Sequence, residues 1–195
     1  MIVLFQKGDI IMKKSVIAIV GALVLLAMVL FGSYNGLIAQ SQAIDGQWAQ
    51  VETQYQRRYD LIPNLVSSTQ GFLIQEQTVF SQIAEARTRY SGAVTADDKA
   101  AAAGGLESAL GRLLVIIENY PQLKSNETVA KLMDELAGTE NRISVERRRF
   151  NDLVQGYNTR IKTIPTNLIA GIFGFGERNY FQATEGSEVA PKVDL

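Results

Sequence analysis

A long apolar segment near the N-terminus constrains this chain more than any other feature. Residues 16–31 read VIAIVGALVLLAMVLF, and no charged residue occurs between Lys14 and Asp45. A helix rises about 1.5 Å per residue, so about twenty residues cross the roughly 30 Å hydrocarbon core of a bilayer. The sequence therefore predicts a membrane anchor over residues 12–34. Its span would contain Val16, Leu23, Leu26 and Phe31.

A cleaved signal peptide is the alternative interpretation of this segment, since Lys13 and Lys14 would supply its basic start. The apolar run is longer than the usual ~7–15 residues of a signal peptide, and no clear small-x-small cleavage site follows it. We therefore expect an uncleaved anchor. Met12 followed by two lysines resembles a natural start, which places residues 1–11 upstream of the true start.

The charges on either side of the anchor predict its orientation. Lys13 and Lys14 precede it, whereas the first charge after it is Asp45. The bias of Lys and Arg places the N-terminus in the cytoplasm and the C-terminal domain outside a single-pass cytoplasmic membrane. From residue 33 onward there are 16 Lys and Arg against 19 Asp and Glu. A domain of net charge −3 offers no basic field for nucleic acid, which we exclude as a partner.

The chain contains neither Cys nor His. This composition excludes disulfides, thiolate nucleophiles, lipid-modified cysteines and Ser-His-Asp triads. It also excludes the Glu-x-x-His motifs of di-iron helical bundles. Glu118, Glu140 and Glu146 are candidates for paired-carboxylate chemistry, but nothing in the sequence fixes a pair around a cleft. The sequence thus predicts a protein that is not an enzyme and has no cofactor and no metal.

Apolar residues at helical spacing fill the rest of the chain. Ile44, Trp48, Val51 and Tyr55 share one face, so the first outer helix is expected to continue from the anchor as far as Asp60. Asp60 is expected to cap a second helix, with Pro63 in its first turn. The buried face of this second helix is predicted from residues 65, 66, 69, 72, 73, 79, 80, 83 and 90.

Two further helices follow. Thr95 to Asp98 resembles a capping box that opens the third helix, and Tyr120-Pro121 ends it. The fourth helix, of about forty residues, is predicted from apolar residues at strict seven-residue spacing. They are Val129, Leu136, Ile143, Phe150, Tyr157 and Ile164. Glu140 and Glu146 fall near core-facing positions of this helix, where they either pair across the bundle or face a partner.

These patterns predict an all-α protein, because no alternating β pattern of useful length occurs. We expect an N-terminal transmembrane helix followed by an antiparallel up-and-down four-helix bundle over residues 35–164 with one long C-terminal helix. That order returns the end of the fourth helix to the membrane. There it is followed by an apolar segment, residues 165–181, and a polar tail, residues 182–195, that is predicted to be flexible.

The apolar segment 165–181 has two interpretations, packing on the base of the bundle or dipping into the lipid interface. The candidate membrane-interface residues are Leu168, Ile169, Ile172, Phe173, Phe175, Tyr180 and Phe181.

Arg57, Arg58 and Asp60 form the candidate partner surface. The simpler interpretation is a helix C-terminus with favourable cations, followed by an Asp cap. The charge run Arg147 to Arg149 is interpreted as a solvated or internally paired cluster. Trp48 and the aromatic residues of the helices are expected in the core.

Several motifs together resemble the LemA family. They are Tyr34-Asn35-x-Leu37-Ile38, Trp48-x-x-Val51, the block YQRRYDLIPNLV at residues 55–66, Tyr120-Pro121-x-Leu123-Lys124, Thr139-Glu140-Asn141-Arg142-Ile143, Arg148-x-Phe150-Asn151, Tyr157-Asn158 and Phe173-Gly174-Phe175. The resemblance covers the chain from Met12 to about Phe181. It implies a membrane-anchored four-helix bundle without an established activity, and a magnetosome-membrane member of the family implies work on membrane shape or assembly.

The leading functional hypothesis is a non-enzymatic, membrane-anchored scaffold or interaction protein of the cell envelope. Its expected partners are membrane lipid, envelope membrane proteins and, through exposed bundle faces, further copies of itself as a homo-oligomer. A membrane-remodelling protein that inserts residues 168–181 is the first alternative. The second is an extracytoplasmic sensor or adaptor domain, against which stands the very short cytoplasmic part.

Overall fold

The computed structural model of the chain is all-helical among the residues that it describes. These are the backbone of residues 2–73 and 76–181, with side chains from Val16 onward. The helices, in order, are α1 (Ile2–Gln70), α2 (Gln77–Gly92), α3 (Ala96–Glu118), α4 (Pro121–Lys124), α5 (Glu127–Lys162) and α6 (Thr166–Phe173). The predicted all-α fold is confirmed. The tail predicted over residues 182–195 lies outside the described residues.

Helix α1 carries the predicted anchor and continues without a break into the residues that follow it. Its apolar segment is long enough to cross a membrane and is not buried against the rest of the protein. Ile17 and Phe31, near its two ends, are 71% and 70% exposed. Side chains of this kind are stable in a hydrocarbon environment and unfavourable in water. The N-terminal helix is therefore a candidate membrane span, as the sequence predicted.

Helix α3 also has the length and apolar character of a membrane span, but a third of its apolar stretch is buried within the protein. Leu106, Leu110, Leu113 and Ile117 lie in the largest hydrophobic core of the described residues. A buried core helix satisfies the same test of length and composition. We therefore assign α3 to the bundle, with one apolar face packed in its core.

The chain divides into two compact units. The anchor unit contains residues up to Ile44 together with Leu153–Asn179, and the bundle unit contains Asp45–Asp152 with Tyr180 and Phe181. Helices α1 and α5 contribute residues to both units.

In the bundle unit, α1 and α5 run antiparallel. Gln47 of α1 donates a hydrogen bond to the Glu146 carboxylate of α5 at 2.7 Å, and Arg58, later in α1, pairs with Glu140, earlier in α5. The large core joins α1, α2, α3, α4 and α5. Its buried members are Ile62, Leu65, Leu73, Val79, Ile83, Ala86, Leu106, Ala109, Leu110, Leu113, Ile117, Leu123, Val129 and Leu136.

The predicted boundary between the first two outer helices is wrong. Helix α1 continues through Asp60 and Pro63 to Gln70, and the next helix begins only at Gln77. Asp60 is not a cap, because it lies inside the helix and accepts a hydrogen bond from Gln56 one turn earlier at 2.9 Å.

Burial explains why α1 passes through a proline. Arg58, Ile62, Leu65 and Thr69 continue one helical face beyond Tyr55, and each is no more than 3% exposed. A proline in a helix interior costs about 3 kcal/mol, whereas burying one large aliphatic side chain contributes about 1.5–3 kcal/mol. The packing of Ile62 and Leu65 together therefore outweighs the local preference for a break at Pro63.

Other predicted helix boundaries are confirmed. Thr95 caps α3, and its hydroxyl accepts a hydrogen bond from the backbone N–H of Asp98 at 3.1 Å. Helix α5 runs for 36 residues, and Val129, Leu136 and Ile143 on its seven-residue repeat are buried. Ile164 does not continue that repeat, since it lies beyond the helix and is 83% exposed. The following Pro165 disfavours a helical conformation at this position.

Replacing Pro63 by Ala should stabilise the protein. The substitution supplies a backbone N–H for the helix and removes the steric conflict, while it gives some entropy back to the unfolded chain. We expect the free energy of unfolding to rise by about 1–2 kcal/mol, measured by chemical denaturation of the full chain in detergent with circular dichroism.

The neighbouring substitution Asn64→Ala is the matched control, because Asn64 is exposed in the same turn of α1. It should change the free energy of unfolding by only about 0.5 kcal/mol, the difference in helix propensity. A Pro63→Ala protein that unfolds more easily than the wild type would contradict the continuous helix.

Candidate membrane interface

Helix α6 is a short helix whose end is set by local chemistry. It begins after Pro165 and ends at Gly174, whose φ of 74° is in the left-handed region that favours glycine. The backbone N–H of Phe175 donates to the carbonyl of Ala170 at 2.9 Å, which closes the last turn. Phe173 and Phe175 are thereby placed on either side of the turn at Gly174.

The two faces of α6 differ in burial although both are largely apolar. Thr166, Ile169 and Ala170 are buried. Leu168, Ile172 and Phe173 are 63%, 76% and 60% exposed. Three large apolar side chains on eight helical residues are more than scattered exposure would give, and such patches mark interaction or membrane sites.

The exposed face of α6 lies beside the end of the anchor within the anchor unit. Tyr34 follows Phe31, the last residue of the apolar run, by three positions. Its ring centre lies 4.8 Å from that of Phe173 and 5.8 Å from that of Phe175. The residues that leave the candidate span thus contact the residues that carry the exposed apolar face.

Polar contacts hold the chain after α6 in the anchor unit. The side-chain amide of Asn158 donates to the carbonyl of Arg178 and accepts from its backbone N–H, both at 2.9 Å. Arg178 also donates to the Ser41 hydroxyl at 2.9 Å, and Lys162 pairs with Glu177 at 2.9 Å. These bonds fix the position of the residues that follow the exposed face.

Gly36 of α1 allows the side chain of Arg160 to approach the α1 backbone closely within the anchor unit. A Cβ at this position would collide with the guanidinium of Arg160 from α5. Glycine therefore leaves room for a cationic side chain against α1, within one turn of Tyr34.

The structure separates the seven residues predicted at the membrane interface. Leu168, Ile172 and Phe173 form the exposed face. Ile169 is 1% exposed and packs inward, and Phe175 is half-buried beside Tyr34. Tyr180 and Phe181 belong to the bundle unit instead. The position of Ile169 follows from the helical period, since it is adjacent to Leu168 and therefore on another side of α6.

The predicted partner surface is also divided. Arg57 and Asp60 are exposed on α1, whereas the side chain of Arg58 is 3% exposed. Arg58 contacts Glu140 of α5 and lies 3.5 Å from the Glu107 carboxylate of α3. Its guanidinium therefore does not face solvent, and any partner contact at this surface falls to Arg57 and Asp60.

Arg58 belongs to a charged cluster inside the bundle unit. Arg147 lies 3.4 Å from Glu107, and its Nε donates to the Tyr55 hydroxyl at 3.0 Å. Burial lowers the pKa of Arg58 from its usual value, and the Glu107 carboxylate opposes that shift. Burial likewise raises the pKa of Tyr55, and Arg147 opposes it. The cluster joins α1, α3 and α5 through paired charges.

The sequence left two alternatives open for Glu140 and Glu146 of α5, and the structure shows the first of them, contact across the bundle. Glu140 and Glu146 do pair across the bundle, with Arg58 and Gln47. The sequence does contain a signal that predicts burial of Arg58. Arg58 occupies the same seven-residue repeat as Val51 and Leu65, which are both fully buried.

The chain matches the LemA family over residues 47–195. It belongs to the LemA family. Magnetosome protein MamQ 2 of Paramagnetospirillum magneticum is 30% identical over 197 aligned residues, which cover 88% of this chain and 71% of the relative. Magnetosome protein MamQ of Magnetospirillum gryphiswaldense is 28% identical over 193 residues, with 86% and 70% covered.

A further relative of this LemA-family chain is Protein LemA of Metamycoplasma hominis. It is 24% identical over 155 residues, which cover 79% of this chain and 71% of the relative. Family membership together with the N-terminal apolar helix makes this a membrane-associated LemA-family protein. Among the described residues, no three or more Asp and Glu side chains are grouped so as to hold a metal ion. The expected lack of cofactor and catalytic activity stays a prediction.

The free energies of unfolding of variants in the charged cluster should show whether Arg58 is a buried or a surface cation. The double variant Glu107→Gln/Glu140→Gln leaves the buried Arg58 without either carboxylate, and it should lower the free energy of unfolding by about 3–5 kcal/mol. Arg58→Met leaves two carboxylates that are 41% and 42% exposed. Because water reaches both, we expect a smaller loss of about 1 kcal/mol by chemical denaturation.

Arg57→Ala is the matched control for Arg58, since it removes an exposed cation from the adjacent position. It should change the free energy of unfolding by no more than about 0.5 kcal/mol. Equal losses for Arg58→Met and the double carboxylate variant would contradict the buried-cation arrangement.

The bundle unit should become less stable as the pH rises through the alkaline range. Burial raises the pKa of Tyr90 to about 12, with Glu52 adding to the shift, whereas an unfolded tyrosine titrates near pH 10. Between these values the unfolded chain loses the proton that the folded protein keeps. The folded state then binds more protons, so the free energy of unfolding decreases as pH rises.

Tyr90→Phe removes this contribution. The decrease in the free energy of unfolding between pH 10 and pH 12 should be smaller in Tyr90→Phe than in the wild type, by denaturant titration at a series of pH values. Circular dichroism at pH 7 controls for intact folding. Identical pH dependence in the two proteins would contradict a buried neutral Tyr90.

Proposed function

We propose that this protein is a membrane-anchored, non-enzymatic scaffold of the cell envelope that contacts one membrane surface at two places. Helix α1 crosses the cytoplasmic membrane with the N-terminus in the cytoplasm, and the exposed face of α6 lies in the lipid interface of the outer leaflet. The bundle unit is the part available to other envelope proteins and to further copies of this chain.

The contact between Tyr34 and Phe173 supports this proposal most directly. Tyr34 emerges from the end of the apolar run, and its ring centre lies 4.8 Å from that of Phe173. Aromatic side chains are favoured at the level of the lipid headgroups. If α1 spans the membrane, Phe173 lies at that level through its contact with Tyr34. Leu168 and Ile172 belong to the same exposed face of α6.

The distribution of Lys and Arg along the sequence supports the proposed orientation of α1, with its N-terminus in the cytoplasm. The only Lys and Arg residues before Arg57 are Lys7, Lys13 and Lys14, and all three precede the apolar run. Basic residues are retained on the cytoplasmic side of a membrane segment. The remainder of the chain has a net charge of −3, so its attachment to lipid would depend on apolar contact more than on charge.

The chemistry of the side chains is the support for a scaffold role. The chain has no His and no Cys, and the charged cluster of Arg58, Glu107, Glu140 and Arg147 is engaged in ion pairs between helices. Arg57 and Asp60 remain exposed on α1 as the proposed partner surface.

Membrane remodelling is the second candidate function, and the exposed face of α6 favours it. An apolar helical face that enters one leaflet displaces headgroups and favours curvature. Two relatives at 30% and 28% identity are named as magnetosome proteins, which is compatible with work on a specialised cellular structure.

The scaffold proposal is tested by cross-linking and affinity purification of the full chain from its native membrane. We expect a reproducible envelope protein to co-purify with the wild type and to be reduced in Arg57→Ala/Asp60→Ala, because that variant removes only exposed charges. The matched control is Glu85→Ala/Arg89→Ala, an exposed ion pair elsewhere in the bundle unit. Recovery of lipid and homo-oligomers alone would contradict the scaffold and favour remodelling.

Remodelling is tested with the full chain reconstituted into large vesicles. If α6 promotes curvature, the wild type should reduce vesicle diameter by electron cryo-microscopy as the protein-to-lipid ratio rises. The variant Leu168→Ser/Ile172→Ser should lose most of this effect because two of the three apolar side chains of the exposed face become polar. The control Val94→Ser/Val115→Ser, which changes two exposed apolar residues of the bundle unit, should behave as the wild type. Equal vesicle diameters for all three proteins would contradict remodelling.

A further inference from the structure

Phe181 is held in the bundle unit in a way that resembles the capture of a peptide. The side-chain amide of Asn151 donates to the carbonyl of Phe181 at 3.1 Å and accepts from its backbone N–H at 2.8 Å. One side chain thus satisfies both main-chain groups of the residue. This pairing recognises an extended backbone and does not depend on which side chain the residue carries.

Aromatic contacts supply the side-chain part of this capture. The Phe181 ring is stacked on Trp48 of α1 with ring centres 5.3 Å apart, and it meets Phe150 of α5 edge to face at 5.2 Å. The guanidinium of Arg147 lies 5.8 Å from the centre of the same ring. We call Trp48, Arg147, Phe150 and Asn151 the aromatic clasp. Together they fit an aromatic residue within an extended segment.

The segment that enters the clasp is not part of a helix. Helix α6 ends at Phe173, and residues 174–181 are non-helical. The segment therefore has no helical hydrogen bonds to break when it leaves the clasp. Its contacts through Glu177 and Arg178 with Lys162, Asn158 and Ser41 would be exchanged for the same contacts in the second copy. A second copy of the chain carries an identical segment, so its Phe181 would meet the same four side chains with the same hydrogen bonds. Exchange of identical elements between protomers is a low-cost route to association.

We propose that the aromatic clasp binds the Phe181 segment of a second copy of this chain in exchange for its own, and so links protomers in the membrane. Anchoring by α1 would favour the exchange, because confinement to one membrane raises the effective concentration of the partner segment. This inference names the self-association partner of the proposed scaffold. It does not depend on contact between α6 and lipid.

The chain carries its own reporter for this exchange. Trp48 is the only Trp in the sequence, and it lies in the clasp against Phe181. Loss of the Phe181 ring in Phe181→Ala should therefore change the Trp48 emission. An acceptor chain with this substitution keeps the whole clasp but has no ring to fill it.

The test mixes full-length chains in detergent or nanodiscs. The donor chain carries Trp48→Phe/Asn151→Ala, so it emits no Trp signal and cannot hold its own segment, but it retains Phe181. The control, called the silent donor, carries Phe181→Ala in addition, so it has no Phe181 ring to offer to the acceptor's clasp. We expect the donor, and not the silent donor, to shift the acceptor's Trp48 emission towards the wild-type spectrum in a saturable manner, and an affinity tag on the donor to recover the acceptor.

A second measurement uses only the wild-type chain and so does not depend on folding of the variants. A synthetic peptide of residues 175–184 should reduce the oligomeric fraction of the wild type by analytical ultracentrifugation in detergent. The same peptide with Phe181→Ala should not. Equal effects of donor and silent donor, or a wild type that stays monomeric at all concentrations, would overturn the proposal and make the clasp a contact within one chain.

Discussion

The structure depends first on the apolar surface of α1 between Val16 and Phe31. This surface has no protein partner among the described residues, and its large side chains are 40–71% exposed. Water is an unfavourable environment for it, and hydrocarbon is a favourable one. The helix backbone satisfies its own hydrogen bonds, as a lipid environment requires. Every functional inference about the anchor unit follows from this requirement for lipid.

Buried charge is the main constraint within the bundle unit. The side chain of Arg58 is 3% exposed, yet it is matched by carboxylates from two other helices. Apolar packing would stabilise helices in many relative positions, whereas a buried cation is tolerated only where its carboxylates meet it. The ion pairs of Arg58 with Glu107 and Glu140 join α1 to α3 and α5.

The sequence predicted those elements in which one signal dominates. Helix α5 was predicted from Val129, Leu136 and Ile143 because the same residues create the repeat and fill the core. The boundary predicted at Asp60, with Pro63 in the first turn of a new helix, was wrong, since that local preference was outweighed by burial of Ile62 and Leu65. Arg58 was interpreted as a surface residue because its partners lie 49 and more residues away along the chain. The contact of Tyr34 with Phe173 likewise joins distant segments, and no local pattern predicts it.

The most direct test of the account is the depth of α6 in a lipid bilayer. The chain has no Cys, so single substitutions Leu168→Cys and Ile172→Cys can each carry one environment-sensitive fluorophore in the reconstituted full-length protein. Leu26→Cys is the reference for lipid and Ser81→Cys the reference for solvent. We predict that lipid-borne quenchers quench the probes on α6 at a shallow depth of about 5–10 Å. Probes on α6 that are as insensitive to these quenchers as Ser81→Cys, while Leu26→Cys is quenched, would contradict it.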